Sequence, residues 1–206
     1  MKNIIVVLIV FSMFLVSSSS SMAAGNGVIN IQAGIVQSSP DWWNVINNLS
    51  GTTSLLDSDG HATSITLTTN GNSYGVVGNN SFTTDLSVPS LKNIMNGYMA
   101  TSATNTLSFE HLDPNTSFML VVYSQGGDVT GAQQTLINGS YVIGGDINQS
   151  DWKMGGNFIV IPLMTDGAGN LTVTYAPNLA GNEHYGLINA LQLIRTSSAS
   201  ASNPAH

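Results

Sequence analysis

The chain has 206 residues and a formal net charge of −7, with only four Lys and Arg residues against eleven Asp and Glu residues. Charged residues are 7% of the chain, against roughly 25% in an ordinary soluble domain. Without a basic surface for phosphate groups, neither nucleic acid nor anionic lipid is an expected partner.

The first residues have the three zones of a cleaved secretory signal peptide. Met1-Lys2-Asn3 is a short basic start, residues 4–16 are mainly large and apolar, and residues 17–24 are mainly small. The apolar zone is shorter than the roughly 20 residues that cross a bilayer. We therefore predict a bacterial signal peptide at residues 1–23 and a secreted or periplasmic product.

Removal of this segment leaves about 180 residues, a suitable length for one domain with its own core. We predict that the domain occupies residues 24–195, and that the Ser-, Ala- and Asn-rich residues 196–206 form a disordered tail. Cysteine is absent, so disulfides and a lipidated cysteine are excluded. No membrane insertion is expected after signal cleavage.

Short strands with turn residues between them recur along the domain. Alternating or continuously apolar β-branched segments predict strands at residues 28–33, 64–69, 106–110, 118–123, 133–137, 158–163, 171–175 and 187–194. Asn70-Gly71, Gly126-Gly127-Asp128, Asn138-Gly139 and Asp166-Gly167 supply tight turns between several of these segments. The pattern predicts an all-β fold, an antiparallel β-sandwich of eight or nine strands.

Two short helical segments are predicted within this β pattern. Residues 41–46 are compatible with one helical turn. In residues 89–98, apolar side chains at Leu91, Ile94, Met95 and Tyr98 have the spacing of one helix face. We expect that second helix to cover one end of the sandwich.

Several motifs, taken in order, resemble those of a known family. They are Ile29-Asn30-Ile31, Trp43-Asn44, residues 56–63, Met95-Asn96-Gly97-Tyr98, residues 112–123 with Gly126-Gly127-Asp128, Ile137-Asn138-Gly139 and residues 187–193. The chain resembles exported bacterial galactose-binding-like β-sandwich domains, which are related to malectin-like and carbohydrate-binding modules. This resemblance implies a jelly-roll fold and a non-catalytic module. Unlike many members, the chain is expected to carry neither a cell-wall-sorting segment nor an attached enzyme.

The candidate ligand-binding residues are Trp42, Trp152, Asn182 and His184. An exposed indole can stack on a sugar ring, and amides can bind its hydroxyl groups. We expect Trp42 to be the exposed member of its pair and Trp43 to pack. Trp152 lies in a polar segment, and Asn182 and His184 precede the last predicted strand. If Trp42, Asp57, Asp59, Trp152 and the Glu183-His184 loop converge on one concavity, binding of a neutral glycan or surface polysaccharide is favoured; if they scatter, a scaffold role is favoured.

Asp57-Ser58-Asp59-Gly60 has the opening spacing of a calcium loop. An EF-hand needs another oxygen ligand two residues after Asp59, where His61 stands, and a glutamate seven residues later, where Thr68 stands. An EF-hand is therefore excluded. An acidic turn before a strand is the preferred interpretation. The family resemblance nevertheless implies that Asp57 and Asp59 are candidates for a structural calcium site; no other cofactor is expected.

Catalysis is not expected from this inventory of titratable residues. No His-Glu-x-x-His zinc motif occurs. Two other hypotheses stay open beside glycan binding. One is self-association into an extracellular matrix or surface assembly, since few edge lysines oppose strand pairing. The other is a small secreted hydrolase that uses Glu110 or Glu183 with a nearby histidine.

Overall fold

A computed structural model describes residues 27–34, 41–47, 50–71, 73–77, 93–95, 97–128, 131–144, 152–181 and 184–196. The predicted signal peptide and nearly all of the predicted tail lie outside these residues. Within the described ranges, no helix is long and apolar enough to cross a membrane.

The described backbone is dominated by β-strands. Two single-turn 3₁₀ helices are present, Asn93–Met95 and Leu179–Gly181. The strands are β1 (Val28–Ala33), β2 (Asn44–Ile46), β3 (Gly51–Leu56), β4 (Ala62–Asn70), β5 (Ser73–Val77), β6 (Tyr98–Thr101), β7 (Asn105–Glu110), β8 (Ser117–Tyr123), β9 (Gly127–Asp128), β10 (Gly131–Ala132), β11 (Gln134–Ile137), β12 (Tyr141–Gly144), β13 (Phe158–Met164), β14 (Leu171–Pro177), β15 (Gly186–Ile188) and β16 (Ala190–Arg195).

Two larger sheets form the layers of the molecule. The five-stranded sheet has the order β13-β8-β16-β1-β2, and the six-stranded sheet has the order β12-β11-β14-β7-β4-β3. A three-stranded sheet, β15-β6-β5, and the β9–β10 pair complete the described strands. Neighbouring strands are antiparallel except β1 and β2, which are parallel. The predicted antiparallel β-sandwich is therefore confirmed, but the described part of the chain contains sixteen strands rather than the predicted eight or nine.

The main core lies between the two larger sheets because side chains alternate between the faces of each strand. Ile29 and Ile31 of β1 are buried on the inner face of the five-stranded sheet. They belong to one apolar cluster with Leu67 of β4 and with Leu107 and Phe109 of β7. Burial of these alternate positions fixes the strand register.

A second, smaller cluster covers the outer face of the five-stranded sheet. It contains Val121 and Tyr123 of β8 together with Ile94 and Met95 of the first 3₁₀ helix. Trp43, Trp152, Phe158, Val160 and Ile194 pack against it while remaining partly exposed. The sheet is therefore covered on both sides near the ends of β8 and β16.

The prediction of a helical turn at residues 41–46 is wrong. Asp41 and Trp42 form a turn, and Asn44–Ile46 is strand β2. This short segment pairs in parallel with β1, with Ile31 opposite Asn44 and Ala33 opposite Ile46. Pairing with a distant strand overrides the local helical preference.

Two further predictions need correction. The single strand predicted at residues 187–194 is two strands, β15 and β16, which are separated at Asn189. Within residues 89–98, the described part contains only the 3₁₀ helix and the start of β6 at Tyr98; Leu91 lies outside the described residues. Ile94 and Met95 are fully buried, as expected for the apolar side of that segment.

Candidate functional site

Trp42 carries a strongly exposed aromatic side chain. Its relative accessibility is 55%, and its backbone φ is +63°. A bulky residue in this left-handed region is an outlier, because its Cβ is crowded by the neighbouring carbonyl oxygen. The turn thus directs an indole toward solvent at an energetic cost.

The buried amide of Asn44 holds the segment that carries Trp42. Its Nδ2 donates to the carbonyl oxygens of Asn30 and Leu56, each at 2.9 Å. Its Oδ1 accepts from the N–H of Leu56 at 2.8 Å. One side chain therefore links β2 to both β1 and the end of β3. These hydrogen bonds fix the position of the preceding turn at Asp41 and Trp42.

The loop that follows β3 forms the other side of the site. The Asp57 carboxylate accepts through Oδ1 from the N–H groups of Asp59 and His61, both at 2.9 Å. The Gly60 N–H donates to the Asp57 carbonyl at 3.1 Å, and the Ser58 N–H donates to the Val28 carbonyl at 2.9 Å. These bonds make a closed acidic turn that is anchored on β1, which confirms the turn at these residues.

Gly60 is the point of contact between this loop and Trp42. Its φ of +85° is readily adopted only by glycine. A Cβ at this position would overlap Cε3, Cζ3 and Cδ2 of the Trp42 ring. The indole therefore lies directly on the Gly60 backbone and leaves its remaining surface accessible. We call this arrangement the Trp42 platform.

Charged groups around the platform are mainly acidic. Asp41 and Asp59 are exposed, whereas the side chain of Asp57 is buried. Burial raises the pKa of Asp57, but hydrogen bonds from His61 and Asp59 outweigh it and hold the pKa below its ordinary value. The His61 ring, which is largely exposed, lies with Nδ1 3.3 Å from Asp57 Oδ2. Asp57 is therefore ionised at neutral pH.

The structural calcium at Asp57 and Asp59 stays a prediction. Both Asp57 oxygens face hydrogen-bond partners within the turn. Among the residues that the structure describes, no group of three or more His, Cys, Asp or Glu side chains is arranged to hold a metal ion. A calcium ion there would need backbone or water oxygens for most of its six to eight ligands.

Trp152 lies at the opposite edge of the five-stranded sheet and is packed rather than free. Its ring meets Tyr123 edge-on with centroids 5.4 Å apart, and it meets Phe158 at 6.3 Å. With Val121 and Val160, these rings line a shallow, almost wholly apolar concavity of about 260 Å³. Such a surface offers little to the hydroxyl groups of a sugar.

His184 is exposed and lies apart from Trp42. Its N–H and that of Tyr185 donate to Gln133 Oε1 at 3.1 and 3.0 Å, next to strand β11. Asn182 lies outside the described residues. Four strand positions separate β11 from β3 in the six-stranded sheet, roughly 19 Å at ordinary strand spacing.

The structure therefore brings together only part of the predicted site. Trp42 meets the Asp57–Asp59 turn, while Trp152 and His184 lie elsewhere. The sequence did not predict that the Trp42 indole packs on Gly60. It considered His61 only as a position of a calcium loop. The Asp57-Ser58-Asp59-Gly60 motif signalled the turn, but nothing in the sequence indicated its contact with Trp42.

The catalytic hypothesis gains no assembled site from these residues. Glu110 ends β7 opposite Thr66 of β4, and the neighbouring His111 is exposed with a φ of +64°. Glu183 lies outside the described residues. A hydrolase that uses Glu110 or Glu183 with a nearby histidine stays a prediction.

Comparisons with known proteins give structural likenesses of low similarity. No family model and no curated protein matches the chain. The ectodomains of ANX2 and ANX1 from Arabidopsis thaliana each superimpose with a TM-score of 0.49, at 10% and 11% identity, over 82% and 84% of this chain. The plant receptor-like kinase FER gives 0.47 at 13% identity over 85%.

These structures are two plant receptor ectodomains and a plant receptor-like kinase. The chain spans less than half of them, because the matched region covers 42% of ANX2 and ANX1 and 43% of FER. Another such structure contains FER with the peptide RALF23 and LLG2. At this identity and this TM-score, neither an activity nor a ligand is transferred from these proteins.

Proposed function

We propose that the protein is an exported, non-catalytic β-sandwich module that binds carbohydrate, including neutral glycans, on the Trp42 platform. The observation that carries the proposal is an indole that is 55% exposed although its backbone has a φ of +63°. Strained residues of this kind persist where the surrounding structure holds them, and they are concentrated at functional sites.

The chemistry of the platform suits a pyranose ring. An indole offers one broad apolar face to the C–H groups of a sugar, and aromatic contact area is gained at low entropic cost because only two side-chain torsions are ordered. The exposed His61, which follows Gly60 in the chain, supplies a ring nitrogen for hydroxyl groups. Such a shallow site supports millimolar to micromolar binding, about −4 to −8 kcal/mol.

The test is a glycan array followed by calorimetric titration of each hit with wild-type protein and with Trp42→Asn. Asparagine adopts positive φ more readily than tryptophan, so this variant removes the platform while keeping the turn. We expect wild-type protein to bind saturably and the variant to lose at least tenfold in affinity. No saturable binding to any neutral saccharide would remove the proposal.

A matched control separates the platform from general surface apolarity. Leu179 is a second large apolar side chain that is strongly exposed, with a relative accessibility of 74%, and it lies in the second 3₁₀ helix, away from the platform. Leu179→Ala should leave glycan affinity unchanged. An equal loss in both variants would mean that Trp42 has no specific role.

Self-association is the second candidate function, and one surface favours it. Met119, Pro162 and Met164 lie on the outer face of β8 and β13, and the two methionines are exposed by 37% and 65%. With Phe118 and Leu163, they line a concavity of about 380 Å³. Exposed apolar patches of this kind mark protein contacts, here with a second copy.

Light scattering across a wide concentration range tests this alternative. Association through the patch predicts a mass that rises with concentration in wild-type protein and stays monomeric in Met164→Lys. Pro162 on the edge strand β13 removes one backbone donor, so we expect contact through the face rather than through strand pairing. A concentration-independent monomer mass would contradict the alternative.

A further inference from the structure

We propose that the Trp42 platform prefers saccharides that carry a cationic amino group, such as a glucosamine oligomer, over neutral and acidic saccharides. This inference rests on the proposed function and specifies the ligand class of the same site. It depends on two independent features: an exposed indole face, and the sign of the charges that surround it.

The charges at the platform are carboxylates. Asp41 precedes Trp42 and Asp59 precedes Gly60, so each acidic residue is one Cα–Cα step, about 3.8 Å, from a residue of the platform. Both are exposed. Asp57 adds a third negative charge beneath the turn, since its pKa is held below the ordinary value although burial opposes this.

No described cation is placed to neutralise this field. Lys153 follows Trp152 beside β13, at the other edge of the five-stranded sheet from the platform. Arg195 is paired with Asp113, with Nη1 2.6 Å from Oδ2. In the described part of the chain, these are the only Lys and Arg residues. His61 is engaged with Asp57 through its ring at 3.3 Å.

An exposed indole face and nearby carboxylates act in the same direction on an ammonium group. The ring quadrupole attracts a cation, best with tryptophan, by about 0.5–1 kcal/mol at an exposed site. Two or three carboxylates at several ångströms add a comparable attraction, which salt screens. Together they predict about tenfold tighter binding of a cationic sugar than of its uncharged counterpart, and they disfavour a uronic acid.

The experiment compares two tetrasaccharides that have the same glucosamine skeleton. One is N-acetylated and uncharged; the other is N-trimethylated and carries a charge that does not depend on pH, so protonation of His61 is not a confounding variable. Dissociation constants are measured by titration for wild-type protein, Trp42→Asn and the double variant Asp41→Asn, Asp59→Asn. A tetrasaccharide of uronic acid is the acidic comparison.

We expect the trimethylated ligand to bind wild-type protein about tenfold more tightly than the acetylated one, with most of that preference lost at about 1 M salt. The double Asp→Asn variant should lose the preference while keeping its affinity for the acetylated ligand, which also shows that it is folded. Trp42→Asn should lose affinity for both ligands.

The outcomes distinguish this inference from the proposed function. Saturable binding of the acetylated ligand without tighter binding of the trimethylated one would overturn the cationic preference and leave carbohydrate binding intact. A preference that survives in the double variant would overturn the role of the two aspartates. Failure of every tetrasaccharide to bind wild-type protein would overturn both proposals.

Discussion

At the scale of single residues, Trp42 combines two properties that folding alone does not favour. Its left-handed backbone costs roughly 1–2 kcal/mol for a residue with a Cβ, and more than half of its surface is exposed, with a relative accessibility of 55%. The Asn44 hydrogen bonds and the Asp57 turn offset that cost. A residue that only stabilised the fold would be buried further or replaced by one that suits the turn.

The contact between Gly60 and Trp42 predicts the effect of adding one methyl group. Gly60→Ala should displace the indole, because a Cβ there would overlap the ring. We expect a changed Trp42 fluorescence and at least tenfold weaker glycan binding. Calorimetric titration and emission spectra of the folded variant measure the two effects.

Gly155→Ala is the matched control for that substitution. Gly155 has a φ of +81°, close to the +85° of Gly60, but nothing lies within 4 Å of a Cβ placed there. Both variants carry the same backbone strain, of roughly 1–2 kcal/mol. If Gly155→Ala weakens glycan binding as much as Gly60→Ala does, the contact between Gly60 and the indole is not the cause of the weaker binding.

The Asp57 turn predicts a defined pH dependence of stability. The folded pKa lies below the unfolded value of 3.8, so the ionised carboxylate contributes stability that is present above pH 3.8 and is lost as the pH falls through the folded pKa. Asp57→Asn removes the ionised form and with it this contribution. The difference in unfolding free energy between wild type and variant should therefore shrink in acid.

Urea denaturation at several pH values between about 7 and 2 measures that difference. Asp59→Asn is the comparison, because the Asp59 side chain is exposed and only its backbone N–H takes part in the turn. A difference for Asp57→Asn that stays constant through the acid range would contradict the role given to its charge.

At the scale of elements, Asn189 connects the two strands that replace the predicted single strand. It is fully buried. Its Nδ2 donates to the carbonyls of Met95 and Gly97 at 3.1 and 2.9 Å, and its Oδ1 accepts from the Gln125 N–H at 2.7 Å. One amide thus ties β15 and β16 to the first 3₁₀ helix and to the segment after β8.

Asn189→Ala should be strongly destabilising. It leaves buried backbone groups without their partner, at about 1–3 kcal/mol for each unsatisfied group, so we expect a loss of about 3 kcal/mol or more in unfolding free energy. Chemical denaturation measures it. Asn47→Ala at an exposed position should change stability by less than about 0.5 kcal/mol; comparable values for the two would refute the cross-link.

The sequence predicted strands where residue type and periodicity agreed. The apolar residues 118–123 and the alternating residues 64–69 lie in β8 and β4. It missed β3, whose Gly51-Thr52-Thr53-Ser54 start is polar because that strand is an exposed edge beside β4. It missed β2 because three residues carry no period, and only pairing with β1 makes them a strand.

The candidate site could also be predicted only in part from the sequence. An adjacent tryptophan pair implies one exposed ring, and the Asp57-Ser58-Asp59-Gly60 motif implies a turn. Their contact joins residues that are separated by strand β3, so it depends on tertiary packing that neither motif encodes. The same reason explains Trp152, whose polar sequence neighbours gave no sign of its packing on Tyr123.

At the scale of the whole molecule, the five-stranded sheet separates the two candidate aromatic surfaces. The Trp42 platform adjoins β2 at one edge, and Trp152 lies beside β13 at the other, four strand positions away, or roughly 19 Å. Trp42 is exposed, whereas Trp152 is packed among aromatic rings. We therefore predict one binding site per chain, and calorimetry of a disaccharide should give a stoichiometry of one; a value of two would contradict this arrangement.

The chain has three tryptophans, and the ligand is proposed to bind on Trp42. Resolving the three indoles separately shows directly which of them contacts the bound saccharide. Each indole N–H gives one signal in a two-dimensional ¹H–¹⁵N spectrum, and Trp42→Asn identifies the signal of Trp42. During titration with a saccharide that binds, we predict that the Trp42 signal shifts saturably while those of Trp43 and Trp152 stay in place. A saturable shift of Trp152 with an unmoved Trp42 would contradict this prediction.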